Sequence, residues 1–319
     1  MTSIKTALIC GVGGQDGAYL SRLLLDKGYA VYGTSRDAQG GNFSNLLRLK
    51  IKDRVRLLSM ELEDFRSVLI AMKTVQPDEV YFLAGQSSVG LSFDQPAETI
   101  RSFTLGTLNV LEACRMLDKP VRQYHAGSGE CFGDTDGVAA NESTAFRPRS
   151  PYAVAKASAY WLVNNYREAY GLYACTGILF NHESPLRPRR FVTQKIIQAA
   201  KDIAAGSQEK LILGRMDISR DWGWAPDYVK AMWIMLQQPE PEDYIIATGT
   251  TLSLQDFVEM AFECKQLDWR EYVVQDRDLY RPTDILYSCA DPTKANKFLK
   301  WKAELSGKAV VEAMMRDEC

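Results

Sequence analysis

Histidine is scarce in this chain of 319 residues: only His125 and His182 occur, too few for a histidine-rich metal site, and no metal is expected. The seven cysteines (10, 114, 131, 175, 264, 289 and 319) are an odd number and include no CxxC pair. That argues against a disulfide framework and against a zinc cluster, and leads us to expect a reducing, cytoplasmic setting. Neither sign of charge prevails, with 38 Lys and Arg against 40 Asp and Glu and a formal net charge of −2. Such a balance gives no electrostatic reason to expect nucleic acid or an anionic membrane as partner. No apolar run approaches the roughly 18 residues needed to span a bilayer. The opening MTSIKTALICGVGG enters an apolar strand at once and lacks a signal-peptide layout. Internal repeats, low-complexity tracts and charge blocks are also missing. What remains is an ordinary composition, 46% hydrophobic and 24% charged, over a length that suggests about two domains and ample core.

Through the first 180 residues, apolar runs of strand length alternate with amphipathic helical stretches. TALIC, YAVYGTS, VRLLSM, EVYFLAG and VRQYHAG are strand candidates. DGAYLSRLLLDKG, DFRSVLIAMKTV and TLGTLNVLEACRML carry the helical pattern between them. This alternation predicts βαβ units and a parallel sheet covered on both faces. After about residue 181 it weakens, and loops rich in Pro and Arg appear (SPLRPRRF, LYRPTD). The expected class is α/β: a Rossmann doubly wound parallel sheet over residues 1–180, joined by returning segments from roughly 215–250. A smaller C-terminal α/β domain, mainly 181–319, is expected to bind substrate.

Gly11, Gly14 and Gly17 in GVGGQDG directly follow the first strand and open a helix. Glycines in a strand-to-helix turn permit positive φ and let backbone approach a pyrophosphate. The helix N-terminus then offers N–H groups and a positive dipole end. A plain βα turn also uses glycine for packing, but strand, turn and helix in this order favour dinucleotide binding. An NAD-preferring site places an acid about 20 residues further on. Here the second strand ends in Thr34, Ser35 and Arg36, and an arginine suits a 2′-phosphate. NADP is therefore favoured, with Asp37 alongside able to soften the preference. Glu61, at the end of the third strand, is placed to accept from the adenine amino group, or to be a surface carboxylate.

SPYAVAKASAY carries Tyr152 and Lys156 at i,i+4, one face of a helix that begins at Pro151. A neighbouring cation stabilises phenolate, so the phenol can exchange protons closer to neutrality. That serves proton movement at a sugar hydroxyl during hydride transfer. YxxxK alone is common on surface helices. Here it follows a dinucleotide-type opening, with Ser128 and Glu130 of YHAGSGECFG on the preceding strand end.

With these residues in place, the sequence resembles the extended short-chain dehydrogenase/reductases, and within them the GDP-mannose 4,6-dehydratase family. The resemblance runs through GxxGQDG (11–17), LAGQSSV (83–89), PRSPYAVAK (148–156), ILFNHESPLR (178–187), FVTQKI (191–196), RDWGWAPDYV (220–229) and YRPTD (280–284). NHESP and RDWG are its most specific parts. It implies a redox-neutral reaction in which hydride leaves C4 of GDP-mannose to NADP, water is lost across C5–C6, and hydride returns to C6. By that resemblance Ser128 matches the family's active-site threonine and bonds the C4 oxygen beside Tyr152, the base for the C4 hydroxyl. Glu130 matches the glutamate that takes the C5 proton and helps the 6-hydroxyl leave. Lys156 tunes the phenol and holds the nicotinamide ribose. Gly11, Gly14, Gln15, Asp16, Gly17, Leu62 and Leu83 are implied cofactor contacts with Arg36 and Glu61. Ser87, Asn181, Lys195, Arg220, Arg281 and Asp284 are implied substrate contacts, the two arginines on the diphosphate.

Departures from the family pattern are local. Gly13 and Ser128 stand where threonines are usual, and Gly85 where alanine is frequent. The loop after Arg36 (DAQGGNFSN) differs from the one that pairs subunits in better-known members, so a homodimer and a homotetramer both stay open. LRPRRF differs from the usual connection near the substrate and leaves room for a bulkier sugar such as GDP-manno-heptose. A GDP-4-keto-6-deoxy-sugar reductase, an epimerase, or a non-catalytic nucleotide-sensing module are the remaining alternatives. His182 is read as a packed, hydrogen-bonded residue and the tryptophans of RDWGWAP and AMWIML as core. Cys131 is assigned no chemistry.

Overall fold

The computed structural model describes residues 4–319. Its principal sheet holds β1 (Thr6–Cys10), β2 (Ala30–Ser35), β3 (Arg56–Ser59), β4 (Glu79–Phe82), β5 (Arg122–Ala126), β6 (Tyr173–Leu179) and β10 (Tyr244–Ile246). The strand order is β10-β6-β5-β4-β1-β2-β3, and every neighbouring pair runs parallel. Strand order reverses at β1, which pairs with both β2 and β4. A crevice at the carboxyl ends of the strands follows from that reversal.

Apolar runs such as TALIC become strands because both faces of the sheet are covered. Ala7, Ile9, Tyr81 and Tyr124 pack on one side, against α1 (Gln15–Asp26) and α9 (Ala225–Met235). Leu8, Cys10, Val80 and Phe82 pack on the other, against α3 (Phe65–Val75) and α6 (Gly106–Arg115). The short helices α2 (Ser44–Arg48), α4 (Val89–Asp94) and α5 (Pro96–Ile100) fill connections. Twenty residues form α7 (Pro151–Tyr170), which starts on the Ser150 cap with Pro151 in its first turn and stops at Gly171, φ 64°.

A smaller unit holds β7 (Asn181–Glu183), β9 (Ser219–Trp224), β11 (Thr251–Ser253) and β13 (Tyr287–Ser288) in one sheet, and β8 (Leu211–Leu213) with β12 (Val273–Gln275) in another. Helices α8 (Val192–Ala204), α10 (Leu254–Glu263) and α12 (Lys308–Met315) supply much of its core, with α11 (Trp269–Tyr272) at the edge. Trp222 and Trp224 are buried in that core. Of the stretch 215–250, β9 lies in the smaller sheet, whereas α9 and β10 lie with the large one. Among the described residues no helix is long and apolar enough to cross a membrane.

Candidate active site

The carboxyl end of β5 sets the geometry. Gly127 follows it where a Cβ would meet the Thr176 methyl at 2.6 Å, so only glycine lets the chain turn there. Ser128, buried, then caps the single 3-10 turn Gly129–Phe132, its hydroxyl accepting from the Glu130 N–H at 3.2 Å. The cap turns both the hydroxyl and the half-buried Glu130 carboxylate into a cleft of about 400 Å³.

Tyr152 and Lys156 enter the same cleft from the first two turns of α7. Lys156 is 5% exposed and donates to the Ala126 carbonyl at 2.7 Å, fastening α7 to the end of β5. Burial pushes its ammonium down to about 8, against the opposing pull of Cys131 and Asp16. Burial also raises the Tyr152 phenol above its ordinary value, and the Ser128 hydroxyl works against that rise. Cys131, in the same turn, is driven up to about 12 by burial and is no nucleophile.

The glycine loop reaches the cleft through Asp16. Gly11 has φ 90°, and a Cβ on it would press on the Ala84 backbone at 2.8 Å. At Gly17 a Cβ would run into the Gly11 carbonyl and Val12. Gly14, the N-cap of α1, is different: the nearest protein atom to a Cβ there is the Gly11 carbonyl at 3.4 Å. Packing within the chain does not require glycine at 14, whereas a dinucleotide pyrophosphate lying on the loop does. No side chain caps α1, so its first N–H groups face outward for such a phosphate. The loop, the Lys156 ammonium and the open cleft therefore fit a nicotinamide dinucleotide.

Asp16 lines the cleft and bonds through Oδ2 to His182 Nε2 at 2.9 Å, while His182 Nδ1 contacts the Phe180 carbonyl at 2.8 Å. Burial works to lower the His182 pKa, but the Asp16 carboxylate outweighs it and holds the imidazole above its ordinary value. Burial likewise raises Asp16, and His182 overcomes it, holding the carboxyl below its usual range. The Gln15 side chain turns inward, donating to the His182 carbonyl at 3.2 Å and accepting from Ser184 at 2.8 Å. Only the Gln15 backbone remains for a cofactor phosphate.

On the opposite wall stand Ser87, Asn181, Lys195, Arg220, Arg281 and Asp284. Arg220 is 4% exposed, donates to the Ser219 carbonyl at 2.9 Å, and pairs with no carboxylate among the described residues. Burial lowers its pKa, opposed by the more distant Glu130 and Asp284 charges. A buried guanidinium without an ion pair is a site for an anion. Lys195 is exposed and its ammonium donates to the Ile212 carbonyl at 2.7 Å. Leu83 lines the cleft near Lys156, but Arg36, Glu61 and Leu62 do not. Arg36 and Glu61 lie exposed beyond the ends of β2 and β3, and the Leu62 carbonyl accepts from Asn109 at 2.7 Å.

Arg187 and Phe103 also line the cleft without being among the expected site residues. Arg187, in LRPRRF, holds its Nε 3.3 Å from Glu183 and lays its guanidinium over the Phe191 ring at 3.8 Å. The departure of that loop from the family pattern marks the segment but not the residue. Phe103 comes from the turn between α5 and α6, and nothing local in the sequence singles it out.

The whole chain has close counterparts. A family model described as GDP-mannose 4,6 dehydratase matches residues 8–314. GDP-mannose 4,6 dehydratase 1 of Arabidopsis thaliana is 42% identical over 324 residues, covering 98% of this chain and 90% of the plant protein. The GDP-mannose 4,6-dehydratase of Sinorhizobium fredii strain HH103 is 43% identical over 342 residues, covering 100% and 97%. Among solved structures, DesIV, a dTDP-glucose 4,6-dehydratase of Streptomyces venezuelae with NAD bound, has a TM-score of 0.85 at 22% identity, covering 98% of this chain and 96% of that one. RMD from Pseudomonas aeruginosa, complexed with NADPH, has a TM-score of 0.80 at 23% identity, covering 98% and 97%. At such identities the structural likeness is one of fold.

Proposed function

The chain belongs to the GDP-mannose 4,6-dehydratase family, and from that premise we propose that it converts GDP-mannose to GDP-4-keto-6-deoxymannose, with Ser128, Glu130, Tyr152 and Lys156 as its reacting residues. The observation that carries this reading is the convergence of those four side chains in one cleft, opposite the buried and unpaired Arg220.

Tyr152 takes the proton of the C4 hydroxyl while Ser128 hydrogen-bonds the same oxygen. The base is the Tyr152 phenolate, which Lys156 favours because an ammonium close by stabilises the ionised phenol. A bound nicotinamide dinucleotide supplies the hydride acceptor for C4 and the donor for C6. Once C4 is a ketone, the C5 proton is acidified and Glu130 accepts it. The same carboxyl gives that proton to the 6-hydroxyl, which leaves as water; as hydride reaches C6 a proton is added at C5 and Tyr152 gives up the one it took, so carboxylate, phenolate and redox state are all restored. Arg220 and Arg281 hold the diphosphate, with Asn181, Lys195, Ser87 and Asp284 along the nucleotide sugar.

NADP rather than NAD is the cofactor we assign. Arg36 extends unpaired from the end of β2, while Asp37 Oδ1 accepts from the N–H groups of Gln39 at 3.0 Å and Gly40 at 2.8 Å. That carboxylate is engaged by its own loop, which leaves Arg36 as the charged group free to meet a 2′-phosphate. The smaller unit, chiefly 181–319, is assigned to the GDP-sugar, and seven unpaired cysteines fit a cytoplasmic enzyme. Self-association is supported by α7, whose Val154 and Trp161, two turns apart, are 46% and 62% exposed.

Incubation with GDP-mannose and no added cofactor, followed by the alkaline absorbance of the 4-keto product, tests the reaction. Product is expected. Product from GDP-manno-heptose alone would move the substrate assignment, and none from either sugar overturns the dehydratase reading. Glu130→Gln is expected to lower turnover by about 10²–10⁴-fold while bound cofactor is retained. Full activity in that variant removes Glu130 from the mechanism.

A further inference from the structure

Phe103 sits between the two members of the Tyr152–Lys156 pair. It is 1% exposed and belongs to the wide helical turn Arg101–Leu105 that leads into α6. Lys156 Nζ lies 4.1 Å from its ring centroid. The Tyr152 ring meets it at 85°, with centroids 5.5 Å apart. By contrast, Lys156 Nζ is 5.8 Å from the centroid of the Tyr152 ring. One aromatic ring therefore touches both residues that handle the C4 proton.

The same ring accounts for Gly85. That residue has φ 125°, and a Cβ on it would overlap the edge of the Phe103 ring. A larger residue at 85 and a phenyl ring at 103 exclude one another. Lys156, in turn, is a buried ammonium whose hydrogen-bonded partner is the single carbonyl of Ala126. A buried cation with so little solvation loses its proton or moves away unless another group stabilises it. The negative face of an aromatic ring does so without competing for its hydrogen-bond donors.

We propose that Phe103 is a positioning residue for the reaction: its face holds the Lys156 ammonium, its flank holds the Tyr152 ring, and Gly85 leaves the room it needs. This rests on the reading of Tyr152 and Lys156 as the proton-handling pair. The titratable groups around Lys156 are Asp16 at the start of α1, His125 on β5, Cys131 in the turn after β5 and Tyr152 on its own helix. Asp16 alone among these four is charged near neutral pH. Burial keeps His125 neutral, with Lys156 adding to the effect, and burial raises both Cys131 and Tyr152. Arg101, on the same turn as Phe103, is exposed to solvent.

Removing the ring takes away stabilisation of the charged Lys156, so its pKa falls and the alkaline limb of turnover moves to lower pH. Phe103→Leu, with Phe103→Met as a second ring-free variant, is to be compared with Phe103→Tyr. Two readouts are used: the pH profile of turnover on GDP-mannose, and the pH dependence of Lys156 acetylation by acetic anhydride, read by mass spectrometry on the ligand-free protein. In the ring-free variants the labelling midpoint and the alkaline limb are expected to fall by about 1 pH unit. We expect kcat to fall about tenfold with KM within twofold, and the tyrosine variant to follow the wild type. An unchanged labelling midpoint in the ring-free variants, or an equal shift in Phe103→Tyr, overturns the proposal. Because labelling needs no turnover, a wild type inactive on GDP-mannose would count against the dehydratase reading and leave the Phe103 result standing. In parallel, Gly85→Ala is expected to lower Tm less in the Phe103→Leu background than in the wild type, and additive changes would overturn the steric pairing.

Discussion

Ser128 and Glu130 owe their placement to the four-residue turn Gly129–Phe132. The Ser128 hydroxyl accepts from the Glu130 N–H, so a local cap turns a carboxylate into the cleft. Lys156 shows the cost of such placement. With the ammonium held at about 8 against an ordinary 10.5, the unfolded chain binds its proton more tightly than the folded one. The penalty is full below pH 8 and disappears as pH rises from 8 towards 10.5. Lys156→Met is therefore expected to be more stable than the wild type at pH 7, by up to about 3 kcal/mol, while losing turnover. Urea unfolding at pH 7 and pH 9.5 checks this: the stability gain must shrink at the higher pH.

At the scale of elements, the loop between β1 and α1 separates two uses of glycine that look identical in GVGGQDG. Gly17 is required by the protein, since a side chain there collides with Gly11 and Val12. Gly14 is left open by the protein and is required only by what lies on it. Gly17→Ala is expected to cost roughly 1–3 kcal/mol in the cofactor-free protein through overpacking. Gly14→Ala is expected to leave that stability within about 0.5 kcal/mol and to lose bound cofactor. Denaturant titration of stripped protein, with a cofactor assay on the heat-released supernatant, tells the two apart. Equal destabilisation by both would show that the loop packs differently. The Asp16–His182 contact links this same loop to β7 of the smaller unit, the strand that bears Asn181.

For the molecule as a whole, the site lies where the carboxyl ends of the large sheet meet β7, β9 and the loop after Leu279. Neither unit holds a complete set: Glu130, Tyr152 and Lys156 come from one, Asn181 and Arg220 from the other. The exposed side of α7 faces away from this cleft. Trp161→Asp is expected to shift the protein to monomers in sedimentation velocity, since a charge at the centre of an apolar contact opposes pairing. An unchanged sedimentation coefficient in an oligomeric protein would place the interface elsewhere.

Much of this was written in local patterns. Apolar runs separated by amphipathic helices are sufficient to define a parallel sheet, because only a sheet covered on both faces buries ALIC and EVYF completely. GxxGQDG, YxxxK and NHESP name their residues because each function needs a fixed spacing within one turn or one strand. What lay beyond the sequence were relations between residues far apart along the chain. Gly14 and Gly17 differ only in how closely the Gly11–Val12 backbone approaches them, and the ring of Phe103 meets Lys156, 53 positions further on, only once α5, α6 and α7 have packed together. The sequence by itself determined the fold class, the glycine loop and the candidate site residues, since short-range motifs carry them. Tertiary structure alone decided that Arg220 pairs with no carboxylate among the described residues, that the Asp37 carboxylate turns into its own loop, and that one phenyl ring touches both Tyr152 and Lys156, because packing and desolvation depend on the whole fold.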